Sequence, residues 1–179
     1  MTPDLTLQTV KRLRRGPIWS AGERDVGPDS AKTAVALENL LPHRAPFLLI
    51  DRIKRIDLIG ERLWAQRRIA VDDPVFAGHF PGAPVYPGVL QIEAIGQAAV
   101  CLTTLLASPP GGEARSPADV RASRIHDTRF LKALAPGDDL EIQVSMIERD
   151  NLSCCFAGQV WARNELCCLS IGELHVLGE

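Results

Sequence analysis

The sequence predicts an α+β fold in which one long apolar helix is covered by an antiparallel sheet of about six strands. Three observations predict it. Residues 88–107 run for twenty positions without proline, thirteen of them apolar, enough for about 30 Å of helix. Leu140, Ile142, Val144 and Met146 alternate with Glu141, Gln143 and Ser145, the period-2 pattern of a half-buried strand. A length of 179 residues with 46% apolar content fits one domain, whose folding buries roughly 68–70% of the chain's surface without needing a disulfide or a metal.

Taken in order, residues 1–33 stand apart as a flexible N-terminal extension to a domain spanning residues 34–179. Lys11, Arg12, Arg14 and Arg15 accompany a short apolar periodicity of Leu7, Val10 and Leu13. Gly16-Pro17, Gly22 and Gly27-Pro28 then interrupt any regular element. The expected form is a mobile tail with one frayed helical turn; an arm docking an acidic partner is the alternative. Asp4 and Glu23 speak against an organellar transit peptide.

Residues 34–41 suggest a short helix ending before Pro42, and residues 47–59 and 63–71 two strands turning at Gly60-Glu61. A loop over 72–87 carries Pro74, Pro81, Pro84 and Pro87 before the long helix, and a Pro/Gly/Ser-rich break follows at 108–117. Strands are then expected at 121–134, around 140–146, at 152–162 and at 165–177, the last two joined near Arg163-Asn164. Pro136-Gly137 suits the central positions of a type II turn. Most of these strands are expected in meander order.

A net charge of −2 excludes a globally basic nucleic-acid binder, and Trp19, Trp64 and Trp161 are too isolated to form a stacking platform. The helix at 88–107 has the length of a membrane span, but Gln91, Glu93 and Gln97 occupy its first half, where a carboxylate is costly in lipid. Burial under a sheet and a partner subunit is the expected alternative to a membrane span. The five cysteines show no CxxC spacing, so they read as small apolar fillers rather than metal ligands. With no secretory signal, the expected compartment is the reducing cytoplasm.

One short segment gathers the groups that could do chemistry. His79 lies between prolines that restrict the loop's conformations, so its imidazole is presented at low entropic cost as a general base. Glu93 is the acid inside the apolar helix, where burial favours the neutral, proton-donating form suited to a general acid. Gln97, one turn on, is placed to orient that carboxyl. The helix begins after Pro87, leaving the Gly88 and Val89 N–H groups without intrahelical partners; with the positive end of the helix dipole they make an oxyanion site.

The run GHFPGAPVYPGVLQIEAIGQ at residues 78–97 resembles the active-site segment of the bacterial (3R)-hydroxyacyl-[acyl-carrier-protein] dehydratases of fatty-acid synthesis. LPHRAPFLLIDR at residues 41–52 resembles that family's N-terminal signature, and Arg129-Phe130 with Pro136-Gly137-Asp138 its strand-and-turn segment. The resemblance covers roughly residues 37–177. It implies a hot-dog fold and obligate dimers, often assembled as trimers of dimers. It also implies His79 and Glu93 as a catalytic pair drawn from opposite subunits, with Glu rather than Asp marking the dehydratase-only branch. No metal or redox cofactor is implied. The substrate would arrive on the phosphopantetheine arm of an acidic acyl carrier protein, for which Arg121, Arg124, Arg129 and Lys132 are candidate contacts. Phe80 and Val100 join Gly88, Val89 and Gln97 as expected substrate-site residues.

The sequence departs from the family pattern at Val100, where a small residue is usual, at His126 and Leu131, and at Ala122, where a gating aromatic is common. These changes suggest a specialised acyl selectivity. His43 and His175 carry no catalytic expectation. A hot-dog thioesterase and a carrier-binding subunit without turnover are the alternatives; product analysis separates them, since a thioesterase releases a free acid and a binding subunit releases nothing.

Overall fold

The computed structural model describes residues 2–20, 36–108 and 119–177. Six strands form one sheet: β1 (Arg52–Asp57), β2 (Arg62–Arg68), β3 (Val120–Phe130), β4 (Asp139–Arg149), β5 (Ser153–Ala162) and β6 (Glu165–Val176). Their spatial order is β1-β2-β4-β5-β6-β3, and every pairing is antiparallel. The expected meander holds for β1–β2 and for β4–β5–β6. β3 departs from it by crossing to the far edge and pairing with β6. The first strand is shorter than the expected 47–59, because residues 47–50 leave the ladder and pack under the long helix, Leu49 and Ile50 both being buried.

The long helix, α2 (Gly88–Ala107), has the bounds expected of it, set at its start by Pro87. It lies across one face of β2, β4, β5, β6 and β3. Leu140, Ile142 and Val144 of β4 point into this main core with Ile95, Ala98, Ala99 and Leu102 of the helix. The fit is tightest at Gly158: a Cβ there would stand 2.2 Å from Ile95 Cγ2, so glycine lets the helix backbone settle close to β5. The turn into β4 takes the expected form. Gly137 has φ 84°, and Asp138 N–H donates to the Ala135 carbonyl at 3.2 Å, as the third position of a type II turn requires. In the β1–β2 turn, the Gly60 amide and the Arg62 guanidinium hold the Asp57 carboxyl below the usual carboxylate range.

The N-terminal expectation needs correction. Residues Pro3–Arg15 form a 13-residue helix, α1, packed on the sheet face opposite α2. Thr2 caps it, its hydroxyl accepting from Leu5 N–H at 3.4 Å, Asp4 lies in the first turn, and Arg12, Arg14 and Arg15 complement the negative C-terminal end. A helix this short is marginal alone; docking supplies what isolation lacks. Val10 and Leu13 pack on Cys155, Ala157, Leu169 and Ile171 in a second, smaller core. Gln159, fully buried, donates to the Leu13 and Gly16 carbonyls at 2.6 and 2.9 Å and accepts from Ile18 N–H at 2.8 Å. Gln143 accepts from Trp19 N–H at 3.0 Å. The polar positions of β4 and β5, which the alternation assigns to solvent, are thus covered by α1 and the segment after it. The rest of the expected extension, from residue 21, lies outside the described residues, as does the break expected at 108–117 apart from Ser108. Of the short helix expected at 34–41, the described residues, from 36 on, form a 3₁₀ turn at Leu37–Asn39.

Truncating Leu13 to alanine is expected to lower unfolding free energy by about 2–5 kcal/mol, the cost of a large-to-small change in a core. Urea denaturation of the full chain measures it; a tail that did not pack would leave the midpoint where it was.

Candidate active site

The loop before α2 fixes His79 through its own backbone. Val85 N–H donates to the His79 carbonyl at 3.0 Å, while the His79 ring Nδ1 lies 2.7 Å from the Val85 carbonyl oxygen. A carbonyl only accepts, so Nδ1 carries the proton and Nε2 is the ring's free basic nitrogen. The half-buried imidazole also stacks on Phe80, with ring centroids 4.1 Å apart, and Phe80 itself is exposed.

Val85 is three residues from Gly88, so the same loop leads directly into the start of α2. Pro87 offers no side chain to cap that first turn, and the amides of Gly88 and Val89 keep no intrahelical partner. Phe130, at the end of β3, lays its ring over Gly88: a Cβ there would come within 2.7 Å of the ring. Glycine at 88 therefore makes room for the aromatic ring that roofs this helix end.

Glu93 sits one turn further along α2. Gln97, buried at 1% exposure, donates to Glu93 Oε1 at 2.9 Å and to the Phe47 carbonyl at 2.9 Å, and accepts from Leu49 N–H at 2.8 Å. This one amide joins the helix to the segment that precedes β1. The burial expected of Glu93 is incomplete in the single chain, where its side chain is 33% exposed. Among the described residues, no hydrogen bond or ion pair joins His79 to Glu93 within one chain.

One residue beside the acid had no catalytic expectation. His43 Nε2 stands 3.5 Å from Glu93 Oε1, brought there because residues 43–49 run under the helix. Its separation of fifty residues from Glu93 carries no local signal; the neighbourhood arises from the Gln97 clasp. Val100 is buried in the main core, so its bulk acts on how α2 packs against the sheet rather than at the Glu93 end. Of the four basic candidates for a carrier contact, three already have acidic neighbours: Arg121 with Asp119 at 2.5 Å, Arg129 with Asp127 at 2.8 Å and Lys132 with Glu165 at 3.0 Å. Arg124 is exposed on β3. Ala122 is exposed on the same strand, and His126 pairs with Glu173 at 3.0 Å.

The cysteines offer no alternative nucleophile. All five thiols are free and buried, and burial pushes Cys101 and Cys168 up to about 12 and Cys155 up to about 11, so the reactive thiolate is scarce at neutral pH. Among the described residues, no group of three His, Cys, Asp or Glu side chains is placed to hold a metal ion.

A long helix laid in the curve of a six-stranded antiparallel sheet defines a hot-dog protein, and solved structures agree. The fold is similar to the dehydratase heterocomplex ApeI:P from Xenorhabdus doucetiae, with a TM-score of 0.65 at 16% identity over 80% of this chain and 91% of that one. It is also similar to a hypothetical thioesterase from Streptococcus pneumoniae, with a TM-score of 0.55 at 12% identity over 72% and 86% of the two chains. Sequence narrows this fold to one lineage. Residues 41–170 match the FabA-like domain, and the chain belongs to that family. It is 39% identical over 132 residues to the 3-hydroxyacyl-[acyl-carrier-protein] dehydratase FabZ of Xylella fastidiosa (strain M23), covering 74% of this chain and 81% of that protein. It is 38% identical over 144 residues to the enzyme of the same name from Xanthomonas oryzae pv. oryzae (strain PXO99A), covering 76% and 91%.

Replacing Gln97 by leucine strands the buried Leu49 amide and frees the Glu93 carboxyl. The amide alone is expected to cost about 1–3 kcal/mol, read as a fall in the urea midpoint. An unchanged midpoint would mean that the clasp carries no stability.

Proposed function

We propose that this chain dehydrates (3R)-3-hydroxyacyl thioesters, carried on acyl carrier protein, to trans-2-enoyl thioesters in fatty-acid or related acyl-chain synthesis. The relatives matched over most of their length bear the name of this activity. The observation that supports the reading in this chain is the His79 ring, its Nδ1–H spent on the Val85 carbonyl, on a loop that leads directly into an uncapped helix start.

Nε2 of His79 removes the α-proton, and the resulting electron pair moves toward the thioester carbonyl. That proton is far less acidic than an imidazolium, and each pKa unit of mismatch costs about 1.36 kcal/mol, so the enolate-like oxygen has to be stabilised. The Gly88 and Val89 amides serve there, one well-placed oxyanion donor being worth about 2.7–4 kcal/mol. As the α,β double bond forms, the C3–O bond breaks and Glu93 donates its proton to the leaving hydroxyl, which departs as water. Proton return from His79 to Glu93 through solvent resets the site. The residues call for no cofactor; the phosphopantetheine arm belongs to the substrate.

Glu93 serves from the partner subunit of a homodimer, which brings it to the His79 that its own chain leaves apart. Support for pairing comes from β3, an edge strand exposed along most of its length, with Ile125 57% and Phe130 54% exposed; an edge of this kind is a template for a second copy. Trimers of dimers are the further assembly proposed. The compartment is the cytoplasm, and a carrier protein approaches the basic side chains of β3, with Arg124 the primary contact. The thioesterases of similar shape share 12–15% identity with the chain, which speaks for fold alone.

Ultraviolet detection of the enoyl thioester tests the chemistry. His79→Ala and Glu93→Ala are each expected to lower turnover by about 10²-fold or more, the lower end of what a positioned acid or base contributes. Turnover that survives unchanged in both variants ends the assignment. Mixing the two inactive variants is expected to restore part of the activity, because a heterodimer holds one intact site; no recovery despite verified subunit exchange would place the site within a single chain.

A further inference from the structure

A cavity lies on the opposite side of the sheet from α2. It measures about 490 Å³ and opens between the C-terminal end of α1 and the outer side of β2 and β4, with Arg12, Arg15, Arg62 and Ser145 among its lining residues. That size is within the range of small-molecule sites. Its formation depends on α1, which precedes the segment matching the family domain at residues 41–170.

The walls are chemically divided. On one side Pro17 and Ile18, both half-buried, give an apolar surface. On the other, Arg62 is held in place: its guanidinium bonds Asp57 at 2.7 Å and lies over the Trp19 ring at 4.5 Å. Arg12 and Arg15 are exposed and, among the described residues, no carboxylate pairs with either. The Ser145 hydroxyl, in a residue only 8% exposed, has no hydrogen-bond partner among the described residues. The end of a helix ordinarily repels an anion through its unpaired carbonyls. Here Gln159 occupies the Leu13 and Gly16 carbonyls, which removes part of that repulsion beside the guanidinium groups of Arg12 and Arg15.

We propose that this cavity binds a small molecule bearing a phosphate or diphosphate at one end and an apolar or aromatic group at the other. Guanidinium forks match phosphate oxygens with paired, charge-assisted hydrogen bonds. The bound anion is held by Arg12 and Arg15, the orphan Ser145 hydroxyl finds an acceptor at the cavity floor, and the apolar remainder rests on Pro17 and Ile18. The site stands independently of the dehydration chemistry on the other face of the sheet.

Isothermal titration calorimetry on the full chain tests this with three probes: pyrophosphate, ADP and a short-chain lysophosphatidate. At least one of the two amphiphilic probes is expected to bind more tightly than pyrophosphate, ADP pointing to a nucleotide source and lysophosphatidate to a lipid one. Arg12→Gln/Arg15→Gln is expected to weaken that binding by about tenfold or more, as loss of charge-assisted bonds requires. Ser145→Ala is expected to weaken it several-fold, and Arg163→Gln, at a distant ion pair, to leave it unchanged. All these side chains except Ser145 are exposed, so folding is preserved, and matched melting curves verify it for each variant. Binding that is equal in wild type and Arg12→Gln/Arg15→Gln overturns the proposal, as does binding of pyrophosphate alone or of none of the three.

Discussion

A single buried amide sets the geometry on which the candidate active site depends. Gln97 projects from an apolar helix into a place where an unsatisfied polar group is expensive, and its three hydrogen bonds, at 2.8, 2.9 and 2.9 Å, meet that demand with two backbone groups of the 47–49 segment and the Glu93 carboxyl. Helix, pre-strand segment and acid are therefore fixed relative to one another by the same group. His43 reaches Glu93 because that segment is clasped. Two residues before it the helix is seated by shape, with Ile95 filling the space that Gly158 leaves, and further upstream the chain enters through a loop closed on itself between His79 and Val85. Close packing and the candidate site thus share the first half of one element.

How much of this could be read from the residues depended on how local each cause was. The bounds of α2 were legible because Pro87 fixes its start and no proline interrupts it, and the turn at Pro136-Gly137 because both residues act through their own dihedral angles. The alternation in β4 identified the strand and its core face, but not what covers its other side. Gln143 and Ser145 look like solvent-facing residues in sequence; they are buried because α1 and the segment after it, with Trp19 bonded to Gln143, return to cover that face. Register across long separations was equally hidden: nothing in residues 120–130 announces pairing with β6 at the far edge, since that choice is made by topology.

The site followed the same rule. His79, Gly88, Val89, Glu93 and Gln97 fall within nineteen consecutive residues, and their roles were inferred from neighbours in the chain and from a long family motif. His43 was not, since its place beside Glu93 comes from tertiary folding. The basic residues of β3 and of the segment just after it show the opposite error. As a list they suggest a positive docking face, yet Asp119, Asp127 and Glu165 neutralise three of the four, so charge counted along the sequence overstates charge presented at the surface.

The Gln159 contacts with α1 also bear on the order in which the protein assembles. Its bond to the Leu13 carbonyl spans 146 positions of the chain, and the partner strands that bury α1 are made late in synthesis. Although it precedes the strands in the chain, α1 is therefore among the last elements to find its place, and its basic, half-apolar surface must wait unpaired while more than a hundred residues are added. Closing so long a loop is entropically slow, so docking of that helix follows the pairing of the strands on which it rests.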